Sequence, residues 1–270
     1  MEGSTKVSFL DGDVTLISSD GSEFRVHKLI LSLASPFFSD MFKLPRGESR
    51  GALQSITMRE DAKTLDALLK IVYPIQAEDV DLEVAISVYR AAEKLQMLKV
   101  SSVMRQWFQS ILATLENPLE AWAIAVQLNL RQFSKDAEIR FIRANTKDCF
   151  DPWPNHLNAI SVENYASLIN RKERVIEEAR SGLMNALKRG CVCQTCANFA
   201  DIYASLTHGL NPFDPACTSL VILRRCYERV ISQSPCMKWK NRIPPNETDQ
   251  EEMQLKVKNV LSSVGLSAES

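Results

Sequence analysis

The sequence predicts an α+β N-terminal domain, in which a small sheet packs with helices, followed by an all-α C-terminal domain. Two β-branched segments that alternate in polarity around a turn predict strands before residue 28. Apolar stripes of helical period follow between residues 62 and 115, and only helical patterns recur beyond residue 116. We divide the chain into residues 10–115, a helical domain at 116–235, and a linker with a terminal amphipathic helix at 236–270.

Length and charge exclude several classes of protein. The 270 residues, 45% of them hydrophobic, are enough for one or two domains with buried cores. Because 32 basic residues face 33 acidic ones, the formal charge is −1, and nucleic acid would need a local basic patch. No apolar run is long enough to cross a bilayer. We therefore expect no membrane partner.

The N-terminal residues and the cysteines point to a reducing compartment. Residues 1–6 lack the basic and apolar start of a secretion signal, and they lack the arginine-rich character of a transit peptide. We expect a cytoplasmic or nuclear protein whose seven cysteines remain reduced.

A β-hairpin opens the predicted fold. Residues 13–18 and 23–27 alternate in polarity, and Asp20-Gly21 marks the turn between them. His27 ends the second strand at the point where a helix begins. We predict that its side chain hydrogen-bonds neighbouring backbone and has no catalytic role.

Two short helices and a third strand follow the hairpin. Residues 28–34 form the first helix. Ser35-Pro36 supplies an N-cap and a first-turn proline for the second helix, at residues 37–42. Residues 55–58 are predicted as the third strand of the sheet.

Three amphipathic helices complete the predicted N-terminal domain. Asp61 caps the first, which ends before Pro74 because proline cannot continue a helix. Residues 82–95 repeat the helical pattern. The predicted apolar stripe of the third helix is Val100, Val103, Met104, Trp107, Phe108, Ile111 and Leu115.

Several of these segments, in this order, resemble the core signature of the BTB/POZ domain. The segments are residues 13–16, 24–28, 31–38, 41–42 and 91–97. A set of spaced matches in the right order is more specific than a single short motif. The resemblance implies a protein-interaction module with protein partners, homodimerisation among them, and no catalytic residues.

The second predicted helix carries the candidate contacts for a partner protein. Phe37, Phe38, Met41 and Phe42 are too many apolar residues for so short a helix to bury on one face. The resemblance adds Glu48 to this set, because Kelch-like BTB proteins use a hydrophobic residue and a glutamate two positions later to bind a cullin scaffold.

Cullin binding would make the chain a substrate receptor of a cullin-RING ubiquitin ligase. Arg46 stands where the family pattern has the hydrophobic residue. Burying an unpaired arginine costs on the order of several kcal/mol, so Arg46 argues against a cullin partner.

Helices also dominate the second half of the sequence. Asn117, Pro118 and Glu120 are predicted as the N-cap, first-turn proline and capping-box glutamate of a helix that reaches towards Asn129. A further helix covers residues 134–144. Together these two helices resemble the helical extension of many fungal BTB proteins.

The helical pattern is then interrupted and restarts. Residues 151–155 contain two prolines and break the helices, and Ser161 begins a new one. Residues 173–187 are predicted as a helix with a solvated charged face, ended by Gly190.

Three closely spaced thiols form the candidate metal site. Cys191, Cys193 and Cys196 can converge on a structural zinc ion if a fourth ligand joins them. The candidates for that ligand are His208, Cys217, Cys226 and Cys236. The alternative is that these thiols fill gaps between helices, and no other cofactor is expected.

Residues 222–243 carry six basic side chains against Glu228 alone, which is a strip that nucleic acid can use. The alternative is a solvated face beside the acidic residues at 247–252, and this alternative makes a nucleic-acid partner the weaker expectation.

The sequence therefore favours a non-enzymatic interaction adaptor. A phosphate-binding loop, a dinucleotide fingerprint, a nucleophile elbow and the His-Glu-x-x-His motif are all absent from it. The alternative is a BTB-type nuclear or transcriptional regulator that uses the basic strip, although no recognisable DNA-binding module accompanies the strip.

Overall fold

The computed structural model describes residues 7–44, 54–73, 75 and 80–188, together with the single positions 225, 251, 255 and 259. The chain divides into two compact units, Met1–Thr114 and Leu115–Ser270. Among the described residues, no helix combines the length and the apolar character that crossing a membrane requires.

A three-stranded sheet lies in the N-terminal unit. β1 (Val14–Ile17) is central, with β2 (Glu23–Val26) antiparallel on one side and β3 (Gln54–Thr57) parallel on the other. The predicted hairpin and third strand are confirmed. Gly21 has a φ of 82°, which glycine adopts without strain, and this allows the tight turn between β1 and β2.

Five helices of the N-terminal unit lie within the described residues. They are α1 (Lys28–Ala34), α2 (Pro36–Lys43), α3 (Ala62–Val72), α4 (Leu82–Lys94) and α5 (Leu98–Thr114). Asp61 caps α3 as predicted, because its carboxylate accepts a hydrogen bond of 2.8 Å from the backbone N–H of Thr64. Asp81 caps α4 in the same way through the N–H of Val84, at 2.9 Å.

The sheet and the helices of this unit share an apolar core. Its largest fully buried side chains are Leu16, Phe24, Leu31, Phe38, Leu65, Leu68, Leu69, Met97 and Phe108. They come from two strands and from α1, α2, α3 and α5, with Met97 just before α5. Burying each such side chain stabilises the fold by about 1.5–3 kcal/mol relative to leaving it exposed.

The predicted apolar stripe of α5 is only partly buried. The apolar side chains that α5 buries are Val100, Met104, Phe108 and Leu112. The prediction is wrong for Val103, which is exposed, and for Leu115, which follows the last residue of the helix. Trp107 and Ile111 are half-buried.

His27 does not hydrogen-bond backbone through its side chain, so that prediction is wrong. Its ring Nδ1 lies 3.2 Å from the hydroxyl oxygen of Tyr73, and its Nε2 lies 3.3 Å from a carboxylate oxygen of Asp11. The backbone N–H of His27 donates to the same Tyr73 hydroxyl at 2.9 Å. Burial raises the pKa of Tyr73 above its usual value. His27 therefore links the segment before β1 to the end of α3.

The described part of the C-terminal unit is helical. It contains α6 (Pro118–Gln127), α7 (Arg131–Arg143), α8 (Thr146–Phe150), a 3-10 helix (Asn155–Ala159) and α9 (Val162–Lys188). α9 is one continuous helix where the sequence indicated two pieces. Ser161 begins it by accepting a hydrogen bond of 3.2 Å from the N–H of Asn164. The predicted end at Gly190 lies outside the described residues.

Asn117 caps α6 as predicted, but the predicted role of Glu120 is wrong. The side chain of Asn117 accepts hydrogen bonds from Leu119 and Glu120, at 2.9 and 3.4 Å. The Glu120 carboxylate contacts His156 in the 3-10 helix, 2.5 Å from its ring Nδ1, and both side chains are largely buried. Glu120 therefore links the 3-10 helix to α6 and does not form the predicted capping box.

A buried lysine joins α9 to α7. Lys172 is 4% exposed, and its ammonium donates to the carbonyl oxygens of Phe141 and Ala144, at 2.7 and 2.9 Å. These carbonyls lie at the C-terminal end of α7, where helical carbonyls lack partners within the helix. Burial lowers the pKa of Lys172 below its ordinary value of 10.5. Burial also raises the pKa of the neighbouring Cys149 thiol.

Lys172 gives the stability of the protein a specific pH dependence. Because its pKa is lower in the folded than in the unfolded chain, the unfolded chain binds more protons between that lowered pKa and 10.5, and stability rises with pH there. We expect the free energy of unfolding of the wild type, relative to Lys172→Met, to increase as the pH rises towards 10.5.

Urea denaturation at a series of pH values measures this difference. Removing the ammonium in Lys172→Met raises the pKa of Cys149 further, so the stability of this variant falls more as the pH rises. This also increases the stability of the wild type relative to Lys172→Met. Lys147→Met, at an exposed lysine, is the matched control. Parallel pH profiles for the wild type and Lys172→Met would show that Lys172 has no such effect.

Candidate protein-interaction surface

α1 and α2 meet at a single buried residue, Ser35. Its hydroxyl donates to the carbonyl oxygen of Leu95 at 2.5 Å and accepts from the backbone N–H of Phe38 at 3.2 Å. The first bond ties the junction to the end of α4, and the second caps α2. On either side of the junction, Leu31 and Phe38 point into the core. The two helices are therefore held in a defined orientation.

The opposite side of these helices presents large apolar side chains to solvent. Leu29 is 70% exposed, Leu33 80% and Phe37 44%. Leu29 and Leu33 are one turn apart on α1, and Phe37 lies in the first turn of α2. We call these three residues the α1–α2 apolar face.

The two adjacent phenylalanines of α2 differ in their burial. Phe38 is 1% exposed, so the structure places this partner-binding candidate in the core. Phe37 remains exposed, and its ring packs edge to face on Phe38 with the ring centroids 5.6 Å apart. Met41 and Phe42 are half-buried, and the Phe42 ring stacks on Phe38.

The remaining candidates of the sequence lie outside the described residues. These are Arg46 and Glu48, the thiols Cys191, Cys193 and Cys196, and the basic strip apart from an exposed Arg225. Within the part of the chain that the structure describes, no three His, Cys, Asp or Glu side chains are grouped so that they could hold a metal ion.

Sequence reasoning missed Leu29 and Leu33 as surface residues. Five of the seven residues of α1 are apolar, and its two polar residues, Lys28 and Ser32, do not coincide with the side that is most exposed. The spacing of Leu29 and Leu33 by one turn was the available signal, but a helix of seven residues is too short for its buried side to be identified from periodicity.

Three of the charged side chains near the α1–α2 apolar face are paired or accept hydrogen bonds locally. Asp40 and Lys43 at the end of α2 form an exposed ion pair of 3.1 Å. Asp13 accepts a hydrogen bond of 2.7 Å from the backbone N–H of Lys28 at the start of α1. The face itself carries no charge, and what its side chains can do is gain free energy by leaving water.

Comparison with known proteins places residues 8–112 in a family. They match the family model of the BTB/POZ domain. No curated protein matches the chain. The fungal character of the C-terminal helices stays a prediction.

Ser35 provides a test of how firmly the two helices are held. Replacing Ser35 with Ala removes an N-cap, worth about 1 kcal/mol, and leaves a buried carbonyl without a donor, which costs about 1–3 kcal/mol. We expect Ser35→Ala to lower the free energy of unfolding by about 2–4 kcal/mol in urea denaturation. Ser161→Ala removes only an exposed cap and should cost about 1 kcal/mol. Equal losses in the two variants would contradict the importance of the buried bond.

The two phenylalanines allow a matched comparison. Phe38→Ala leaves a cavity in the core and should cost about 3–5 kcal/mol of stability, whereas Phe37→Ala should cost less than about 1 kcal/mol. Thermal denaturation followed by circular dichroism measures both. Similar losses for the two variants would show that the structure assigns these side chains wrongly.

Proposed function

We propose, on the premise that residues 8–112 are a BTB/POZ domain, that this chain is a non-enzymatic adaptor that joins proteins through the α1–α2 apolar face. The exposure of Leu29, Leu33 and Phe37 is the observation that carries the proposal. Full burial of such a side chain releases about 1.5–3 kcal/mol, so a partner that covers all three gains substantial free energy.

The face is also suited to binding because it is held in place before a partner arrives. Ser35, Leu31 and Phe38 fix the two helices from the inside. A surface that is already ordered loses little conformational entropy on association. The free energy gained from apolar burial is therefore largely available for affinity.

A second copy of the chain is the partner that we propose for this face. In a two-fold symmetric dimer, the same surface of each copy contacts its counterpart. The three residues of this face are uncharged, so their pairing brings no like charges together. The proposed homodimer would cover Leu29, Leu33 and Phe37 of both copies.

Two narrower roles extend the proposal. Glu48 supports a substrate receptor of a cullin-RING ubiquitin ligase, and Arg46 argues against it. The basic side chains of residues 222–243 support the alternative of a nuclear or transcriptional regulator. We propose a cytoplasmic or nuclear location for either role, and a structural zinc ion at Cys191, Cys193 and Cys196 only if a fourth ligand joins them.

Leu33 and Leu98 offer a matched pair of substitutions for the homodimer. Both are leucines on helices of the N-terminal unit, and they are 80% and 79% exposed. We expect Leu33→Glu to weaken self-association of the full chain at least tenfold, by roughly the 1.4 kcal/mol or more that placing a charge in an apolar interface costs. Leu98→Glu should associate like the wild type.

Sedimentation equilibrium of the full chain measures the association constants. Equal association of Leu33→Glu and the wild type would remove the α1–α2 apolar face as the dimer interface. A wild type that stays monomeric at every concentration would remove the homodimer, and the adaptor would then have to bind a different protein.

A further inference from the structure

One side of α9, in the C-terminal unit, lines an open groove of about 690 Å³. The described residues that line it are all exposed. They recur at helical spacing and are Glu163, Ala166, Ser167, Asn170, Arg171 and Arg174. This α9 face is separate in sequence and in chemistry from the α1–α2 apolar face.

The residue types on the α9 face are complementary to themselves in reverse order. Counted from the midpoint between Leu168 and Ile169, Glu163 occupies the position equivalent to Arg174. Ser167 is equivalent to Asn170 in the same way, and the remaining pair joins the small Ala166 to Arg171. An identical helix running antiparallel would therefore place acid opposite base, hydroxyl opposite amide, and a small side chain opposite a long one.

The two charges at the ends of this face have no partner within the chain as described. Among the described residues, neither Glu163 nor Arg174 forms a hydrogen bond or an ion pair through its side chain. They are separated by eleven residues, or about 16 Å along the helix axis, so they cannot meet each other within one copy. Arg171 differs, because it already pairs with Glu138 at 2.9 Å.

We infer that the α9 face binds the same face of a second copy of the chain, with the two helices antiparallel. The small side chains Ala166 and Ser167 near the centre allow the helix axes to approach to about 8 Å. At that separation the long side chains of Glu163 and Arg174 reach across to their counterparts at both ends. The pairing forms two ion pairs between the copies and two hydroxyl–amide contacts at the centre.

The groove selects a second copy over other occupants by its charge pattern. An acidic peptide would be attracted by Arg174 but repelled by Glu163 at the other end. A basic peptide would be attracted by Glu163 but repelled by Arg174. Only an occupant with opposite charges about 16 Å apart satisfies both ends, and a second α9 has that arrangement. The inference goes beyond the proposed function and does not rest on it, because it concerns a different unit of the chain.

A charge exchange tests the inference in the full chain. We expect Glu163→Arg and Arg174→Glu each to weaken self-association about tenfold, because each reversal occurs twice in a symmetric pair and places like charges opposite each other. The double variant Glu163→Arg/Arg174→Glu restores opposite charges across the interface and should associate within about threefold of the wild type. Sedimentation equilibrium measures all four proteins.

Two controls accompany the series. Arg131→Glu reverses an exposed arginine on α7, outside the groove, and should associate like the wild type. Circular dichroism of each variant shows whether it is folded, since Glu163→Arg removes a favourable acid from the first turn of α9. Glu163→Gln, which removes the attraction without adding repulsion, should fall between the wild type and Glu163→Arg.

Three results would overturn the inference. The first is that neither single reversal changes self-association. The second is that the double variant associates more weakly than both single variants, and the third is that the wild type stays monomeric at every concentration.

Running the series again with Leu33→Glu separates the two interfaces. If Leu33→Glu does not change self-association while the double charge exchange restores it, the data contradict the α1–α2 apolar face as an interface and support the α9 face. If Leu33→Glu abolishes association and the charge reversals change nothing, the opposite holds.

Discussion

The buried hydroxyl of Ser35 is the interaction on which the proposed binding surface depends. It is bonded on one side to the end of α4 and on the other to the first turn of α2. These two bonds set the direction in which the chain turns between α1 and α2. Because that direction places Leu31 and Phe38 inward, Leu29 and Leu33 are left outward. A polar group in the core thus stabilises the arrangement that leaves these apolar groups in water.

The C-terminal unit depends on buried polar contacts of another kind. Lys172 supplies donors to the end of α7, and Glu120 receives the ring and the backbone N–H of His156. Each contact joins a helix to a segment about thirty residues away. Buried polar groups are costly when unpaired, so these pairs favour one arrangement of the helices over others that bury similar apolar area.

The two proposed surfaces differ in the physical basis of their specificity. The α1–α2 apolar face gains free energy from area removed from water, which is strong but distinguishes poorly between apolar partners. The α9 face gains little from area, because exposed ion pairs contribute at most about 1 kcal/mol each. The order of its charges along α9 favours a partner helix with the complementary charges and an antiparallel orientation. In the proposed adaptor, the α1–α2 apolar face would supply affinity and the α9 face would supply orientation.

The sequence by itself determined the elements whose signals are local. Asp61 and Asn117 cap helices as predicted, because a cap and its partner lie within three residues of each other and the bond forms in almost any tertiary setting. The hairpin and the BTB/POZ identity of residues 8–112 were predictable for the same reason, since both depend on order and spacing along the chain. Only the tertiary structure decided between Phe37 and Phe38, and it directed Glu120 to His156, 36 residues away. Such choices depend on groups brought together by packing, and no short stretch of sequence contains both members of the pair.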